Sequence, residues 1–260
     1  MRLLLDLGNT RLKWAWSPGE GLVGAGHATH RNHGLPAALT ELLRDSAVPD
    51  EVRVANVAGP AAGKLVAEAV FARFGFSPVF ARSRAAAYGL KNGYREPAQL
   101  GVDRWLAMCA AWRKRPGPLC VVDAGTAVTL DVIAADGTHS GGLIFPGVAL
   151  MVAALRQETG DLDQFAGPGF SPEMPTICAA DRDALGTDTA DAIRLGVARA
   201  CVALVADSLA RLNSKAGAAQ LVITGGDGAQ FARLLDAPAA YDPDLVLEGL
   251  ALDPACYEVV

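Results

Sequence analysis

The stretch Leu3–Trp16 reads LLLDLGNTRLKWAW, and the stretch Cys120–Ile133 reads CVVDAGTAVTLDVI. Each begins with an apolar run, passes through Asp-x-Gly and ends in residues that alternate between the two faces of a strand. This pattern predicts a β-hairpin in both places. Asp6 then corresponds to Asp123, at a separation close to half of the chain. An internal duplication and a chance similarity of two hairpins both stay open on these residues alone.

Strand and helix patterns alternate along the rest of the chain. Short apolar runs predict further strands at 21–29, 52–57 and 220–224, and apolar residues at helical spacing predict helices at 35–46, 61–74, 103–114 and 189–213. Strands that alternate with helices predict an α/β fold. The helix breaker Arg115-Pro116-Gly117-Pro118 places a domain boundary at its start, which gives an N-terminal domain of 1–115 and a C-terminal domain of 116–260.

The composition excludes several classes of protein. The chain has 260 residues, of which 51% are hydrophobic and 20% charged, enough to form the cores of two domains. Its net charge of −5 argues against a general nucleic-acid or membrane-surface binder. No apolar run reaches the roughly 18 residues that a membrane span requires. The five cysteines are widely spaced and form no CxxC pair, so we expect reduced thiols and a cytoplasmic protein.

Glycine-rich turns follow three apolar strands, at 6–10, 123–126 and 224–228. Glycine lets backbone N–H groups approach an anion, and an Asp at the end of a strand is a suitable ligand for hydrated Mg²⁺. One such turn is an ordinary hairpin. Two at matching positions, together with a third turn, indicate a site that holds a polyphosphate. The chain contains neither GxxxxGK[ST] nor GxGxxG after a strand, so P-loop and Rossmann sites lack their signatures.

Asp103 and Arg104 stand at the start of a predicted helix. Transfer of a phosphoryl group to an alcohol needs a carboxylate that accepts the hydroxyl proton. A neighbouring cation and a helix N-terminus both favour the ionised form of Asp103. The competing interpretations are a plain helix N-cap for Asp103 and a surface position for Arg104. From the residues alone, the prediction reaches a Mg²⁺-dependent phosphotransferase that acts on a small alcohol.

Three histidines, His27, His30 and His33, are spaced three apart, as metal ligands on one helical face are. Glycines flank them, and no cysteine or carboxylate pattern supports a metal site. We therefore predict that these histidines do not form one.

Five motifs occur in order along the chain and together resemble the type III pantothenate kinase family. This family belongs to the actin-like (ASKHA) superfamily and includes proteins of the Bvg accessory factor type. The motifs are DLGNT with Lys13, G-x-D-R at Gly101–Arg104, DAGTA at 123–127, GGLIFPG at 141–147 and TGGD at 224–227. The resemblance implies two duplicated ribonuclease-H-like domains with the nucleotide in a cleft between them. It also implies a homodimer.

The resemblance implies a kinase that phosphorylates pantothenate with ATP, Mg²⁺ and a monovalent cation, K⁺ or NH₄⁺. Asp103 is then the general base, and Arg104 holds the substrate carboxylate. The implied metal ligands are Asp6 for Mg²⁺ and Asp123 for the monovalent cation. The implied nucleotide-binding residues are Asp6, Gly8, Asn9, Thr10, Lys13, Gly125, Thr126, Gly225, Gly226 and Asp227. The implied pantothenate-binding residues are Tyr94, Gly101, Arg104, Gly147 and Thr189.

Two other functions stay open. The chain could be an accessory protein that regulates gene expression, as has been described for members of this family. It could also be another actin-like phosphotransferase with a different substrate. An intact set of Asp6, Asp103, Arg104 and Asp123 favours catalysis, because a protein that only binds nucleotide has no need for a general base.

Overall fold

The computed structural model describes residues 1–19, 21–30, 34–44, 46–158 and 184–252. These residues fold into two compact units, each with its own five-stranded β-sheet. The predicted α/β fold is confirmed.

The strands of the described chain are numbered in chain order. They are β1 Arg2–Leu7, β2 Arg11–Ser17, β3 Val23–Thr29, β4 Glu51–Asn56, β5 Val79–Phe80, β6 Ala86–Ala87, β7 Leu90–Lys91, β8 Leu119–Ala124, β9 Ala127–Ile133, β10 His139–Pro146, β11 Gln220–Thr224 and β12 Ala239–Tyr241.

The helices of the described chain are numbered in the same way. They are α1 Leu35–Arg44, α2 Pro60–Phe74, α3 Val102–Lys114, α4 Val148–Glu158, α5 Thr189–Ala216, α6 Gly228–Leu234 and α7 Leu245–Ala251. A 3-10 turn covers Pro97–Gln99.

The sheet of the first unit has the strand order β3-β2-β1-β4-β5. Its central strand β1 is antiparallel to β2 and parallel to β4. Leu3, Leu4 and Leu5 are fully buried, so β1 is covered on both faces, as its continuous apolar run predicts. Leu3 and Leu5 pack with apolar residues of α1 and α2.

The sheet of the second unit has the order β10-β9-β8-β11-β12 and repeats the arrangement of the first. Its central strand β8 is antiparallel to β9 and parallel to β11, which is in turn parallel to β12. The similarity of the two hairpins is therefore one part of a topological repeat, and the predicted duplication is confirmed at this level. Cys120, Val122 and Ala124 of β8 form a core with residues of α4, α5 and α6.

The two units are not two continuous halves of the chain. The first comprises Met1–Lys114, the turn Gly137–His139 and the segment that begins at Asp244. The predicted boundary at 115/116 lies one residue from the point where the chain first passes from the first unit to the second. It nevertheless assigns α7 to the C-terminal domain. Arg53 explains why α7 belongs to the first unit: this buried guanidinium donates hydrogen bonds to the carbonyl oxygens of Leu250 and Leu252, at 3.1 and 2.7 Å.

Helix α3 begins at Val102, one residue before the predicted start, so Asp103 lies inside its first turn and is not the N-cap. The apolar residues of this helix are core. Trp105 is fully buried, and the backbone of α7 lies so close that a Cβ on Gly249 would stand 2.4 Å from the Leu106 carbonyl oxygen.

No helix of the described chain is long and apolar enough to cross a membrane.

Candidate active site

The first glycine turn connects β1 and β2 in the first unit. The Gly8 N–H donates to the Arg11 carbonyl at 3.0 Å and closes the hairpin. Asp6 is half-buried and lies directly opposite Lys13 in the strand register. Asn9 at the tip is exposed. The structure therefore brings together Asp6, Gly8, Asn9, Thr10 and Lys13 at one end of the central strand.

His30 holds this turn from the end of β3. Its Nε2 is 2.9 Å from the Gly8 carbonyl oxygen, and its backbone N–H donates to the Thr10 carbonyl at 3.0 Å. A carbonyl oxygen can only accept, so Nε2 carries the proton. The spacing of the histidines gave no indication of this role, since it depends on β3 pairing with β2. His33 lies outside the described residues.

Asp103, Arg104, Gly101 and Tyr94 form a second group in the same unit. The Arg104 N–H donates to Asp103 Oδ1 at 2.8 Å. A Cβ on Gly101 would stand 2.7 Å from that same oxygen, so glycine gives the carboxylate room to fold back over the helix start. Arg104 is only 5% exposed, which rules out the surface position considered above.

Arg104 contacts Tyr94 through a hydrogen bond and through a guanidinium–ring contact. Its Nη1 donates to the Tyr94 hydroxyl at 2.8 Å, and its guanidinium carbon lies 5.6 Å from the centre of the Tyr94 ring. Both contacts orient the guanidinium relative to the ring. The prediction grouped these two residues on the family pattern, and the structure places them together.

Asn92 fixes the loop that carries Tyr94. Its Nδ2 donates to the carbonyl oxygens of Arg84 and Pro97 at 3.0 and 3.1 Å, and its Oδ1 accepts from the Tyr94 N–H at 3.0 Å. In the sequence, Asn92-Gly93 indicates only a turn. The contribution of Asn92 becomes visible once the two ends of the loop are located.

The second glycine turn connects β8 and β9 in the second unit. The Gly125 N–H donates to the Ala127 carbonyl at 3.2 Å, which repeats the closure of the first turn. Gly147 packs against this turn: its N–H donates to the Thr126 carbonyl at 2.9 Å, and a Cβ here would stand 2.1 Å from the Gly125 carbonyl oxygen. The structure therefore brings together Asp123, Gly125, Thr126 and Gly147.

The third glycine turn, between β11 and α6, lies beside the second. Thr224 is opposite Asp123 in the parallel register of β8 and β11, and the Asp227 N–H donates to the Ala124 carbonyl at 2.9 Å. Gly225 has a φ of 92°, and a Cβ here would stand 2.4 Å from Asp123 Oδ1. Gly225 is buried and Gly226 exposed. At Gly225 and Gly147, packing of one turn on another is what requires glycine.

Thr189 is the first residue of α5, next to Asp188, whose side chain caps the helix. It is half-buried. Its assignment to the pantothenate pocket stays a prediction.

Two cysteines of the described chain, Cys120 and Cys201, are unsuited to act as nucleophiles. Cys109, Cys120 and Cys201 are buried and free of disulfides. Burial, with a smaller contribution from the charge of Asp131, raises the pKa of Cys120 to about 12. Burial raises the pKa of Cys201 to about 11. Both thiols are therefore neutral at physiological pH, and thiolate chemistry is not available to them.

Solved structures with the same architecture define the class of protein. A protein from Campylobacter jejuni assigned to the Baf family of transcriptional activators matches with a TM-score of 0.59 at 23% identity, over 95% of this chain and 94% of that one. A ROK family glucokinase from Streptomyces griseus, in complex with glucose and AMPPNP, matches with a TM-score of 0.52 at 13% identity, over 96% and 98%. At these identities the likeness shows the fold alone. The protein has the actin-like ATPase fold, built from two duplicated α/β units.

Sequence relatives narrow the class to a family. The chain is 35% identical over 258 residues to a type III pantothenate kinase from Nitrosococcus oceani, which covers 96% of this chain and 92% of the relative. It is 39% identical over 274 residues to the one from Cupriavidus pinatubonensis, which covers 95% and 96%. The sequence profile of type III pantothenate kinases matches residues 2–211. The chain belongs to the type III pantothenate kinase family.

Proposed function

We propose that this protein phosphorylates pantothenate with ATP to give 4′-phosphopantothenate and ADP, the first step of coenzyme A synthesis. Membership of the family supports the substrate pair. The observation that carries the chemistry is the group at the start of α3, where the half-buried Asp103 and the buried Arg104 are consecutive residues whose side chains both pass close to Gly101. A carboxylate and a buried cation on one turn of a helix match a substrate that has a reacting hydroxyl and a carboxylate of its own.

Asp103 serves as the general base in this proposal. Its carboxylate accepts the proton of the pantothenate hydroxyl as the hydroxyl oxygen bonds to the γ-phosphorus and the bond to the β,γ-bridging oxygen breaks. ADP takes the electron pair of the broken bond. The Arg104 N–H donates to Oδ1 at 2.8 Å, which fixes the direction of the carboxylate. Asp103 therefore begins the reaction oriented.

Arg104 serves as the anchor for the pantothenate carboxylate. Its guanidinium is buried, where an attraction to an anion is weakly screened, and a planar fork can bind a carboxylate through two hydrogen bonds. Its Nη1 donates to the Tyr94 hydroxyl, and this contact orients the guanidinium.

The three glycine turns bind the nucleotide in this proposal. Asp6 fits a Mg²⁺ ion, because Mg²⁺ is held by one or two carboxylates together with phosphate oxygens and water. The absence of any cluster of three or more His, Cys, Asp or Glu among the described residues is compatible with such a site. When bound, Mg²⁺ neutralises charge on the phosphates. Asp123 fits the proposed monovalent cation, K⁺ or NH₄⁺, since a cation there would offset its charge.

The test measures ADP release by the purified protein with ATP and Mg²⁺, with and without pantothenate, in potassium and in sodium buffer. We expect release that depends on pantothenate and is faster in potassium. Asp207→Asn is the matched control for Asp103→Asn, because Asp207 is an exposed carboxylate on α5 that pairs with Arg211. The proposal requires that the Asp103→Asn variant loses turnover and that the Asp207→Asn variant keeps it. No pantothenate-dependent release in either buffer would contradict the proposal.

Two further measurements separate the alternatives if pantothenate gives no turnover. An accessory protein would bind ATP without turnover, and another phosphotransferase would release ADP when a different alcohol is supplied. A homodimer stays a prediction from the family resemblance, and a cytoplasmic location stays a prediction from the cysteine pattern. Light scattering of the purified protein would measure the first.

A further inference from the structure

His139 is a buried histidine that has no role in the reaction described above. It is 1% exposed and lies at the start of β10. Its ring stacks on the ring of Tyr94, with 5.9 Å between the ring centres and an angle of 14° between the planes. Tyr94 therefore has the Arg104 guanidinium and the His139 ring as neighbours, 5.6 and 5.9 Å from the centre of its own ring.

The turn Gly137–His139 is held in the first unit by backbone contacts with Lys91. The Lys91 N–H donates to the Gly137 carbonyl at 2.8 Å, and Thr138 forms a parallel bridge with Lys91. Gly137 has a φ of 82°, and a Cβ there would stand 2.3 Å from the Gly89 carbonyl oxygen, so only glycine allows this approach. The backbone on both sides of the contact is thus fixed, and the His139 ring itself is confined by its burial.

The main chain of the Tyr94 loop is held by Asn92, whose Oδ1 accepts from the Tyr94 N–H. That contact positions the backbone and leaves rotation about the side-chain bonds of Tyr94. A stacked ring restricts this rotation, because offset stacking favours a narrow range of ring orientations. The Tyr94 hydroxyl then stands where Nη1 of Arg104 can donate to it, at 2.8 Å.

We propose that His139 is a positioning residue for pantothenate: its ring fixes Tyr94, and Tyr94 in turn fixes the guanidinium that binds the substrate carboxylate. This inference rests on the proposed function, because it requires that Arg104 binds pantothenate. It predicts that the flat ring of His139, rather than its nitrogen atoms, matters and that its loss weakens the binding of pantothenate. It predicts no effect on ATP binding, since none of these contacts involves a glycine turn.

Three substitutions at position 139 separate the ring from the polar atoms. His139→Phe keeps a flat ring, His139→Asn keeps a polar nitrogen without the ring, and His139→Ala keeps neither. We expect the KM for pantothenate to rise about fivefold in the Asn and Ala variants, which is the size of one aromatic contact, and to stay within about twofold in the Phe variant. We expect the KM for ATP to stay within about twofold in all three.

Two patterns would overturn the proposal on an active enzyme. One is a Phe variant that binds pantothenate poorly while the Asn variant binds it normally, which would assign the role to the polar nitrogen. The other is an equal rise of both KM values in the Asn and Ala variants, which would assign His139 to general packing. Thermal unfolding of each variant identifies any that fails to fold. If the Phe variant does not fold, the KM values of the Asn variant and of wild type still test the proposal.

A double substitution tests whether His139 acts through Tyr94. In a Tyr94→Leu background, the further change His139→Ala should leave the KM for pantothenate unchanged, because the ring it positions is gone. A further rise of about fivefold would mean that His139 acts on the substrate by another route and would overturn the proposal. Wild-type protein that shows no pantothenate-dependent turnover would instead refute the proposed function, and this inference with it.

Discussion

Replacement of Gly225 by alanine tests whether the second and third glycine turns depend on each other. Gly225 has a φ of 92°, a region that residues with a side chain rarely adopt. A Cβ at this position would stand 2.3 Å from the Ala124 carbonyl oxygen and 2.4 Å from Asp123 Oδ1. Since these atoms belong to the end of β8 and to its turn, one of the two turns must shift by several tenths of an ångström or more.

Two contributions set the size of the effect. The unfavourable backbone conformation costs about 1–3 kcal/mol. Displacement of a packed backbone segment adds about 1–3 kcal/mol, as in other overpacked sites. We therefore expect Gly225→Ala to lower the free energy of unfolding by about 2–6 kcal/mol, and the melting temperature by roughly 5–20 °C. If Asp123 is displaced, the KM for ATP rises as well.

Gly217→Ala is the matched control, because it separates the two contributions. Gly217 has a φ of 81° at the end of α5, and a Cβ there would have no neighbour within 4 Å among the residues that the structure describes. This variant should lose only the backbone contribution, about 1–3 kcal/mol, with unchanged kinetics.

Thermal unfolding and ADP-release kinetics of the two variants decide the question. Equal melting temperatures and equal KM values for ATP would show that the collision at Gly225 has no consequence. The close packing of the third turn on Asp123 would then be wrong as an explanation of this glycine.

Three further predictions concern single residues. Asp103→Asn should lower kcat by about 10²–10⁴ with little change in melting temperature, because a general base is lost at nearly constant shape; a kcat near that of wild type would exclude Asp103 as the base. His30→Ala should raise the KM for ATP about three- to tenfold and leave the KM for pantothenate unchanged, since one hydrogen bond to the first turn is lost, and a KM for ATP equal to wild type would contradict this role. Burial raises the pKa of Cys120 to about 12, so the folded protein favours the protonated thiol. The stability that this proton contributes is fully present below the pKa of the unfolded thiol and is lost as pH rises to the folded pKa. Urea unfolding should therefore show wild-type stability declining between about pH 9 and 12 more steeply than that of Cys120→Ala, by about 1.4 kcal/mol per pH unit, and parallel declines would refute it.

The sequence predicts the central hairpins well because their signals are local. An apolar run, an Asp-x-Gly turn and an alternating run lie within Leu3–Trp16 and again within Cys120–Ile133, and both hairpins appear in register. The outer strands β5 and β12 were missed because two or three residues carry no periodicity. Helix α7 was assigned to the second domain because its contacts with Arg53 and α3 are distant in sequence.

The candidate residues divide in the same way. The G-x-D-R motif identifies Asp103 and Arg104, and the family resemblance adds Tyr94, which the structure places in contact with Arg104. His30 and His139 were not assigned to any site, because each reaches its partner through strand pairing or a turn that no local pattern encodes. A histidine has no sequence signature when its task is to hold another residue.

The two halves of the duplication keep the same hairpin but differ in charge and in support. In the first, Asp6 lies opposite Lys13; in the second, Asp123 lies opposite Thr129. The register thus supplies a cation beside one carboxylate and a neutral residue beside the other. The supports differ as well, since His30 holds the first turn, whereas backbone N–H groups of Gly147 and Asp227 hold the second. Substitutions of side chains can therefore loosen the first turn, while the second responds mainly to substitutions that move its backbone.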